Sequence, residues 1–226
     1  MSPYNASYYL GEGRFSQRDE VVKRAADYIY NTSYRSKSDS GLSHKRAVMA
    51  GVRSFMGRNF ETKNNIGGRL GRERTISQVI ESAGKYGEPG TPRGFAHNCL
   101  DYALLAATLI RAFDIPVKYT ENVDFERLIT KNRFRFHALN EVSMDDGSWF
   151  VFDPFWGFSD KKPEEKNAYV EKFRKIAEGL DFSDMELLLP GSSGAMISIV
   201  TRDQLKDLVR IRTEANGELL LKDKLQ

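Results

Sequence analysis

The chemistry open to this 226-residue sequence starts from one cysteine, a strand-borne histidine and an aspartate that precedes a proline. Cys99 is the only thiol, so no internal disulfide can form. A lone cysteine is most often a small buried hydrophobe. Cys99, however, stands where the Gly/Pro-rich stretch Gly84 to Gly94 gives way to the apolar run Cys99 to Phe113. That junction predicts the first turn of a buried helix, where unpaired N–H groups and the helix dipole favour the thiolate, the nucleophilic form. His137 lies in the run Phe134-Arg-Phe-His-Ala-Leu-Asn-Glu-Val, and Asp153 closes Ser148-Trp-Phe-Val-Phe-Asp. Asp145-Asp146-Gly147 between them is a hairpin signal. With Gly147 at the left-handed position of a three-residue loop, Met144 pairs with Ser148 and Asp153 falls opposite Leu139. His137 is then diagonal to Asp153 on one face, roughly 7–8 Å away at the backbone, within reach of an imidazole–carboxylate hydrogen bond. A register shifted by one residue would put the two on opposite faces. Read singly, these residues are a buried thiol, an ordinary strand histidine and a turn-initiating aspartate. Read together, they suit nucleophilic attack on a carbonyl by Cys99, proton transfer by His137, and orientation of His137 by Asp153.

The elements that must position these groups follow from periodicity. Val21, Val22, Ala25, Ala26 and Ile29 share one face and predict a helix over 18–30. The polar, Ser-rich stretch 32–43 reads as a connector. Ala47, Val48, Val52 and Phe55 predict a second helix over 44–56, and Thr75 caps a third carrying Ile76, Val79, Ile80 and Ala83, ended by Gly84. Asp114-Ile115-Pro116 stops the cysteine helix, because the residue before proline avoids helical geometry. Strands are expected over 117–120, 134–144 and 148–153. Beyond Pro154 the pattern predicts a helix over 163–180, a strand over 196–200, a helix over 201–212 and a hairpin at Asn216-Gly217.

Composition bounds the rest. A chain that is 40% hydrophobic and 12% aromatic can bury a sizeable core, which excludes wholesale disorder. The longest nearly apolar run, Ala103 to Ile110, is far short of the roughly 20 residues that a bilayer demands. The opening residues Met1-Ser-Pro-Tyr-Asn-Ala-Ser lack the basic-then-apolar pattern of a secretory signal, so the expected location is cytoplasmic, with delivery as an effector compatible. Residues 1–98 hold 16 Lys/Arg against 9 Asp/Glu and residues 99–226 hold 18 against 22. The basic half shows no nucleic-acid motif and its charges are interleaved with acids, so a solvated surface is the expectation and nucleic acid is not a predicted partner. One Cys with His44, His97 and His137 shows no metal-ligand spacing.

Three blocks carry a resemblance. Arg93-Gly-Phe-Ala-His-Asn-Cys-Leu-Asp-Tyr-Ala-Leu-Leu-Ala-Ala-Thr-Leu-Ile-Arg-Ala-Phe-Asp-Ile-Pro-Val resembles the cysteine helix of the transglutaminase-like superfamily, with its Cys, an Arg-Ala pair and Gly-Ile-Pro. His137-Ala-Leu-Asn-Glu-Val and Trp149-Phe-Val-Phe-Asp-Pro resemble that family's His-Ala-Trp-x-Glu-Val and Trp-x-x-x-Asp-Pro blocks. Leu139 stands where the family often has Trp, and Asp114 where it often has Gly. The resemblance spans about residues 90–157, under a third of the chain. It implies an α+β fold: a papain/transglutaminase-like core in which N-terminal helices, including the Cys-bearing one, pack on an antiparallel sheet carrying His and Asp. The implied division is a helical part at 1–74, a catalytic core at 75–157 and an α/β extension at 158–226 packing on the core. No cofactor is implied, and the calcium loop that would suit an EF-hand is absent from the sequence. The backbone N–H of Cys99 is the default oxyanion donor, with Gln78, His97 and Asn98 as side-chain candidates and Trp149 as a site-lining candidate. Asp101 and Glu141 read as structural.

The expected function is thiol-dependent acyl transfer on an amide carbonyl, of a peptide or a Gln side chain, through a thioester on Cys99. No large accessory domain accompanies the motifs within these 226 residues, which favours hydrolysis (protease or deamidase) over cross-linking. The alternative is a catalytically idle binding module on the same fold. A protein or peptide substrate is the expected partner, and the sequence leaves oligomeric state open.

Overall fold

A computed structural model of the chain describes residues 6–61, 75–84, 93–96, 99–124, 136–155 and 173–181. The expected strand over 196–200, helix over 201–212 and hairpin at 216–217 lie outside the described residues.

Helices form where an apolar face meets a capping residue. Helix α1 (Glu20–Ile29) is capped by Asp19, whose carboxylate accepts from the Val21 and Val22 N–H groups, and it buries Val22, Ala25, Ala26 and Ile29. The predicted connector begins later than expected. The chain continues as a π-helical segment (Tyr30–Tyr34) into α2 (Arg35–Ser38) before it turns. Asn31 and Thr32 donate to the carbonyls of Asp27 and Tyr28, four residues back. These polar side chains therefore hold the helical ladder together instead of breaking it. Helix α3 (His44–Asn59) runs directly into β1 (Phe60–Glu61). In α4 (Ile76–Glu81) Thr75 and Gln78 close a capping box, and Gly84 follows with φ +59°.

The sheet that bears on the site is antiparallel, with strand order β5-β4-β3-β6, where β3 is Val117–Asp124, β4 is Phe136–Ser143, β5 is Trp149–Phe152 and β6 is Phe173–Gly179. Met144 N–H donates to the Ser148 carbonyl, Gly147 takes φ +79°, and Asn140 stands opposite Phe152. This is the register read from the hairpin motif, and it carries Asp153 to the level of Leu139. Residues 173–179 correct the expected helix over 163–180: they pair with the far edge of β3. Lys175 and Glu178 have helix-forming composition, but in the strand both reach an opposite charge on the sheet, Glu141 for Lys175 and Lys118 for Glu178. Tertiary pairing overrides local propensity there.

The sheet has two chemically distinct faces. Val117, Tyr119, Ala138, Val142 and Phe152 join one apolar core with residues of α1, α3, α4 and α5 (Cys99–Arg111). Helix α5 is buried from Asp101 through Arg111, as an apolar-all-round helix must be. On the other face Lys118 is buried between Glu141 (3.7 Å) and Glu178 (3.6 Å), with its ammonium over the rings of Trp149 (4.2 Å) and Tyr9 (5.2 Å). A second buried cation, Arg111, donates to the carbonyls of Tyr9 and Val117 and to the Ser16 hydroxyl. Ser16 in turn donates to Asp181, which also accepts from Phe15 N–H. The N-terminal segment, the end of α5, the start of β3 and the residue beyond β6 are thereby tied at one point.

Helix α5 is terminated by Asp114 at φ +56°. That left-handed conformation disfavours any side chain, and it accounts for glycine being common at this position in the family resembled. Asp114 is exposed and only 4.0 Å from Arg18 as an ion pair, so little opposes its replacement. Asp114→Gly is expected to raise unfolding free energy by about 0.5–1 kcal/mol, and Asp114→Val to lower it by more than about 1 kcal/mol. Denaturant unfolding checks both, and equal stabilities would remove the backbone argument.

Candidate active site

The approach to Cys99 is set by a tight backbone passage. Gly94 in β2 (Gly94–Phe95) pairs in parallel with Phe60 of β1, and a Cβ at Gly94 would lie 2.7 Å from the Ala83 nitrogen. Only glycine fits without a shift of α4's end. Arg93 donates to the carbonyls of Gly57 and Phe60, which anchors the passage to the C-terminus of α3, where a cation suits the helix dipole. Three residues after Ala96 the chain enters α5 with Cys99 at its first position, half-buried and packed against the apolar core. The leading N–H groups of a helix have no intrahelical acceptor, so this position offers donors to an anion.

His137 and Asp153 come from adjacent strands. His137 Nε2 and Asp153 Oδ2 lie 2.7 Å apart, both residues being buried, Asp153 completely. A carboxylate oxygen only accepts, so Nε2 carries the proton. The second carboxylate oxygen accepts from Phe155 N–H at 2.9 Å, across the Pro154 turn that ends the strand. The Phe155 ring contacts the His137 ring (centroids 6.1 Å) and Tyr102 of α5 (5.4 Å), so one side chain joins the sheet-borne pair to the cysteine helix. Burial works against a charged His137. Hydrogen bonds to Asp153 and Cys99, together with their negative charge, outweigh it and raise the imidazole from 6.5 to about 9. With Nε2 engaged by Asp153, Nδ1 is the nitrogen left for the Cys99 sulfur.

The structure thus brings together Cys99, His137 and Asp153. The remaining candidates are distributed differently. Gln78 is exposed, and its amide oxygen accepts from Thr75 N–H at 2.9 Å as half of the capping box, 21 residues before the thiol. Trp149 begins β5 opposite Ser143, four residues or roughly 13 Å along the strand from Asp153. Its ring packs on Tyr9 and Lys118 in the ion cluster, away from the thiol end of the sheet. His97 and Asn98 lie outside the described residues. Glu141 sits among Lys118 and Lys175, and Asp101 is buried in the first turn of α5, both as structural groups would be. Sequence reading missed Phe155, although an aromatic directly after Asp-Pro was a usable signal. Asn122 was missed because the expected strand stopped at residue 120. Among the described residues, no group of three His, Cys, Asp or Glu could hold a metal ion.

Comparison with known proteins agrees with this arrangement at the level of the family. The model of the transglutaminase-like superfamily matches residues 68–154, the span that holds Cys99, His137 and Asp153. Residues 68–154 are a transglutaminase-like core. The core carries the α+β, papain-like arrangement of a cysteine helix on an antiparallel sheet, and at family level it is that of a thiol-dependent enzyme. A solved structure from Cytophaga hutchinsonii, named a "putative cysteine protease", is similar at 20% identity and a TM-score of 0.47. The likeness covers 80% of this chain and 50% of that one, so this chain spans about half the length of that protein. No curated protein matches the chain. No helix among the described residues is long and apolar enough to cross a membrane.

The His137–Asp153 pair makes a direct prediction. The folded histidine holds a proton that an unfolded one releases near 6.5, so its contribution to stability is complete below that pH and lost as pH rises through about 9. Histidine NMR titration should place His137 near 9 and move it down towards 6.5 in Asp153→Asn. A wild-type midpoint near 6.5 would contradict the charge-stabilised ring.

Proposed function

We propose that the transglutaminase-like core is a cysteine-dependent amide hydrolase in which Cys99 is the nucleophile, His137 the acid–base group and Asp153 its orienter. The observation that carries this reading is the convergence on one buried imidazole. Asp153 lies 2.7 Å from Nε2, and the thiol at the start of α5 hydrogen-bonds the same ring.

The steps follow from those positions. The Cys99 sulfur attacks the carbonyl carbon of an amide, and the carbonyl oxygen takes up negative charge next to the leading N–H groups of α5. The C–N bond breaks as His137 gives its proton to the departing amine, or to ammonia when the amide is a Gln side chain. A thioester remains on Cys99. Water attacks it while His137 takes the proton, the C–S bond breaks, and a carboxylate product leaves with the thiolate–imidazolium pair restored. Asp153 stays ionised throughout, holding the tautomer that leaves Nδ1 facing sulfur. Hydrolysis is favoured over transfer to an amine because the Cys99 side is half-buried and open to water, the acceptor that prevails unless it is excluded. A protein or peptide supplies the amide, and neither cofactor nor metal takes part in these steps.

A single cysteine makes the test unambiguous by intact mass. Alkylation of Cys99 should be rapid well below pH 8 and lose that low-pH limb in His137→Ala. Hydrolysis of amide substrates should vanish in Cys99→Ala, fall by several orders of magnitude in His137→Ala, keep a residue in Asp153→Asn, and decline above about pH 9 as His137 loses its proton. An alkylation limb at the free-thiol value of about 8.5, unmoved by His137→Ala, would sink the enzyme reading and leave an idle fold whose role is binding.

A further inference from the structure

His137 occupies a part of β4 that is held from one side only. Among the described residues β5 pairs with β4 over Asn140–Ser143, so residues 137–139 have β3 as their strand partner. There Asn122 stands directly opposite His137, and Thr120 opposite Leu139. Both are buried polar side chains, at 5% and 1% exposure. The Asn122 amide nitrogen lies 3.3 Å from the His137 carbonyl, 3.3 Å from the Thr120 carbonyl and 3.0 Å from the Thr120 hydroxyl. Thr120 Oγ1 donates to the Leu139 carbonyl at 3.1 Å. Carbonyl oxygens only accept, so the amide must present its nitrogen here and the network has one direction. Asn122 feeds the His137 carbonyl and the Thr120 hydroxyl, and Thr120 feeds the Leu139 carbonyl. On the other side of β3 the pairing with β6 slips between Glu121 and Asn122. Such irregularities re-aim side chains and recur beside active sites.

We propose that Asn122, with Thr120 behind it, is a positioning residue that fixes the backbone of His137 and so holds its ring between Asp153 and Cys99. This rests on the catalytic reading of those three residues. The clamp replaces the strand partner that β5 does not supply: the carbonyls on either side of Ala138 each gain a side-chain donor from β3. A displacement of the ring by a fraction of an ångström would loosen its bond to sulfur without unfolding the sheet.

The test is the pH dependence of Cys99 alkylation in the full chain, with thermal unfolding alongside. Wild type, His137→Ala, Asn122→Leu and Asn59→Leu are compared. Asn59 is the matched control, a buried amide in α3 that donates to the Phe55 carbonyl at 2.8 Å. Asn122→Leu is expected to slow alkylation at pH 7 by about tenfold and to shift its limb part-way towards that of His137→Ala. Asn59→Leu should lose comparable stability and keep the wild-type limb. Thr120→Val, nearly isosteric, should shift the limb the same way by less, and it decides the matter if Asn122→Leu does not fold. A wild-type limb in Asn122→Leu, or in Thr120→Val where that alone folds, beside a displaced limb in His137→Ala, overturns the positioning role. A wild-type protein whose own limb is already at about 8.5 and indifferent to His137→Ala overturns the triad, and the positioning role with it.

Discussion

A carboxylate with no exposed surface has to be satisfied where it stands, and Asp153 sets that condition for the transglutaminase-like core. Leaving such a charge buried and unpaired costs several kcal/mol even after relaxation. Two donors meet it: the His137 ring and the Phe155 N–H. The first is available only in one register of the β4–β5 hairpin, the one that Gly147 permits by taking φ +79°. The second is available only because the chain leaves the strand at Pro154 and folds back on the aspartate. Satisfying Asp153 also keeps the imidazole protonated to about pH 9, so a proton donor stands beside the thiol through the neutral range. Stability of the buried acid and readiness of the acid–base group are one interaction.

Two other buried charges organise the surroundings without entering the site. Lys118 and Arg111 both occupy positions where an aliphatic side chain would bury as much area with no desolvation penalty. What they add is specificity of arrangement. Arg111 can satisfy its guanidinium only if the carbonyls of Tyr9 and Val117 and the Ser16 hydroxyl converge on it, which fixes the N-terminal segment across the sheet's lower end. Lys118 needs Glu141 and Glu178 from two different strands, which places β6 beside β3. Removing one partner from either cluster leaves an uncompensated buried charge, so these contacts discriminate against alternative packings more than they stabilise this one.

The parts legible in the sequence are those governed by local rules. The hairpin register followed from the turn residues, the start of α5 from the glycine-rich stretch ending at Cys99, and the cap of α4 from Thr75 and Gln78. What escaped was governed by distant partners. Residues 173–179 read as helix because Lys, Ala and Glu favour it, yet an open edge on β3 and two opposite charges decide the strand. The connector at 32–43 looked broken because Asn, Thr and Ser usually compete with helical hydrogen bonds; here they complete them. Gln78 and Trp149 had suitable chemistry and unsuitable places, one already engaged at a helix cap, the other at the wrong end of its strand. Asn122 was invisible because nothing in the residues around it says that β5 ends three residues short of His137.

The nucleophile and its base sit on different kinds of element, and that determines how accurately they can meet. A helix that carries its first residue into a site can fail by sliding or by rotating, since a shift of one residue turns it by about 100°. Helix α5 can do neither cheaply. It is buried on all sides from Asp101 to Arg111, and its last turn is pinned by the Arg111 guanidinium to β3, a strand that also pairs with β4. The element bearing Cys99 and the strand bearing His137 are thus referenced to the same strand at both ends: through Arg111 and Val117 at one, through Asn122 and His137 at the other. Strand β3 contributes no group to the chemistry, yet it is the part against which both reacting groups are measured.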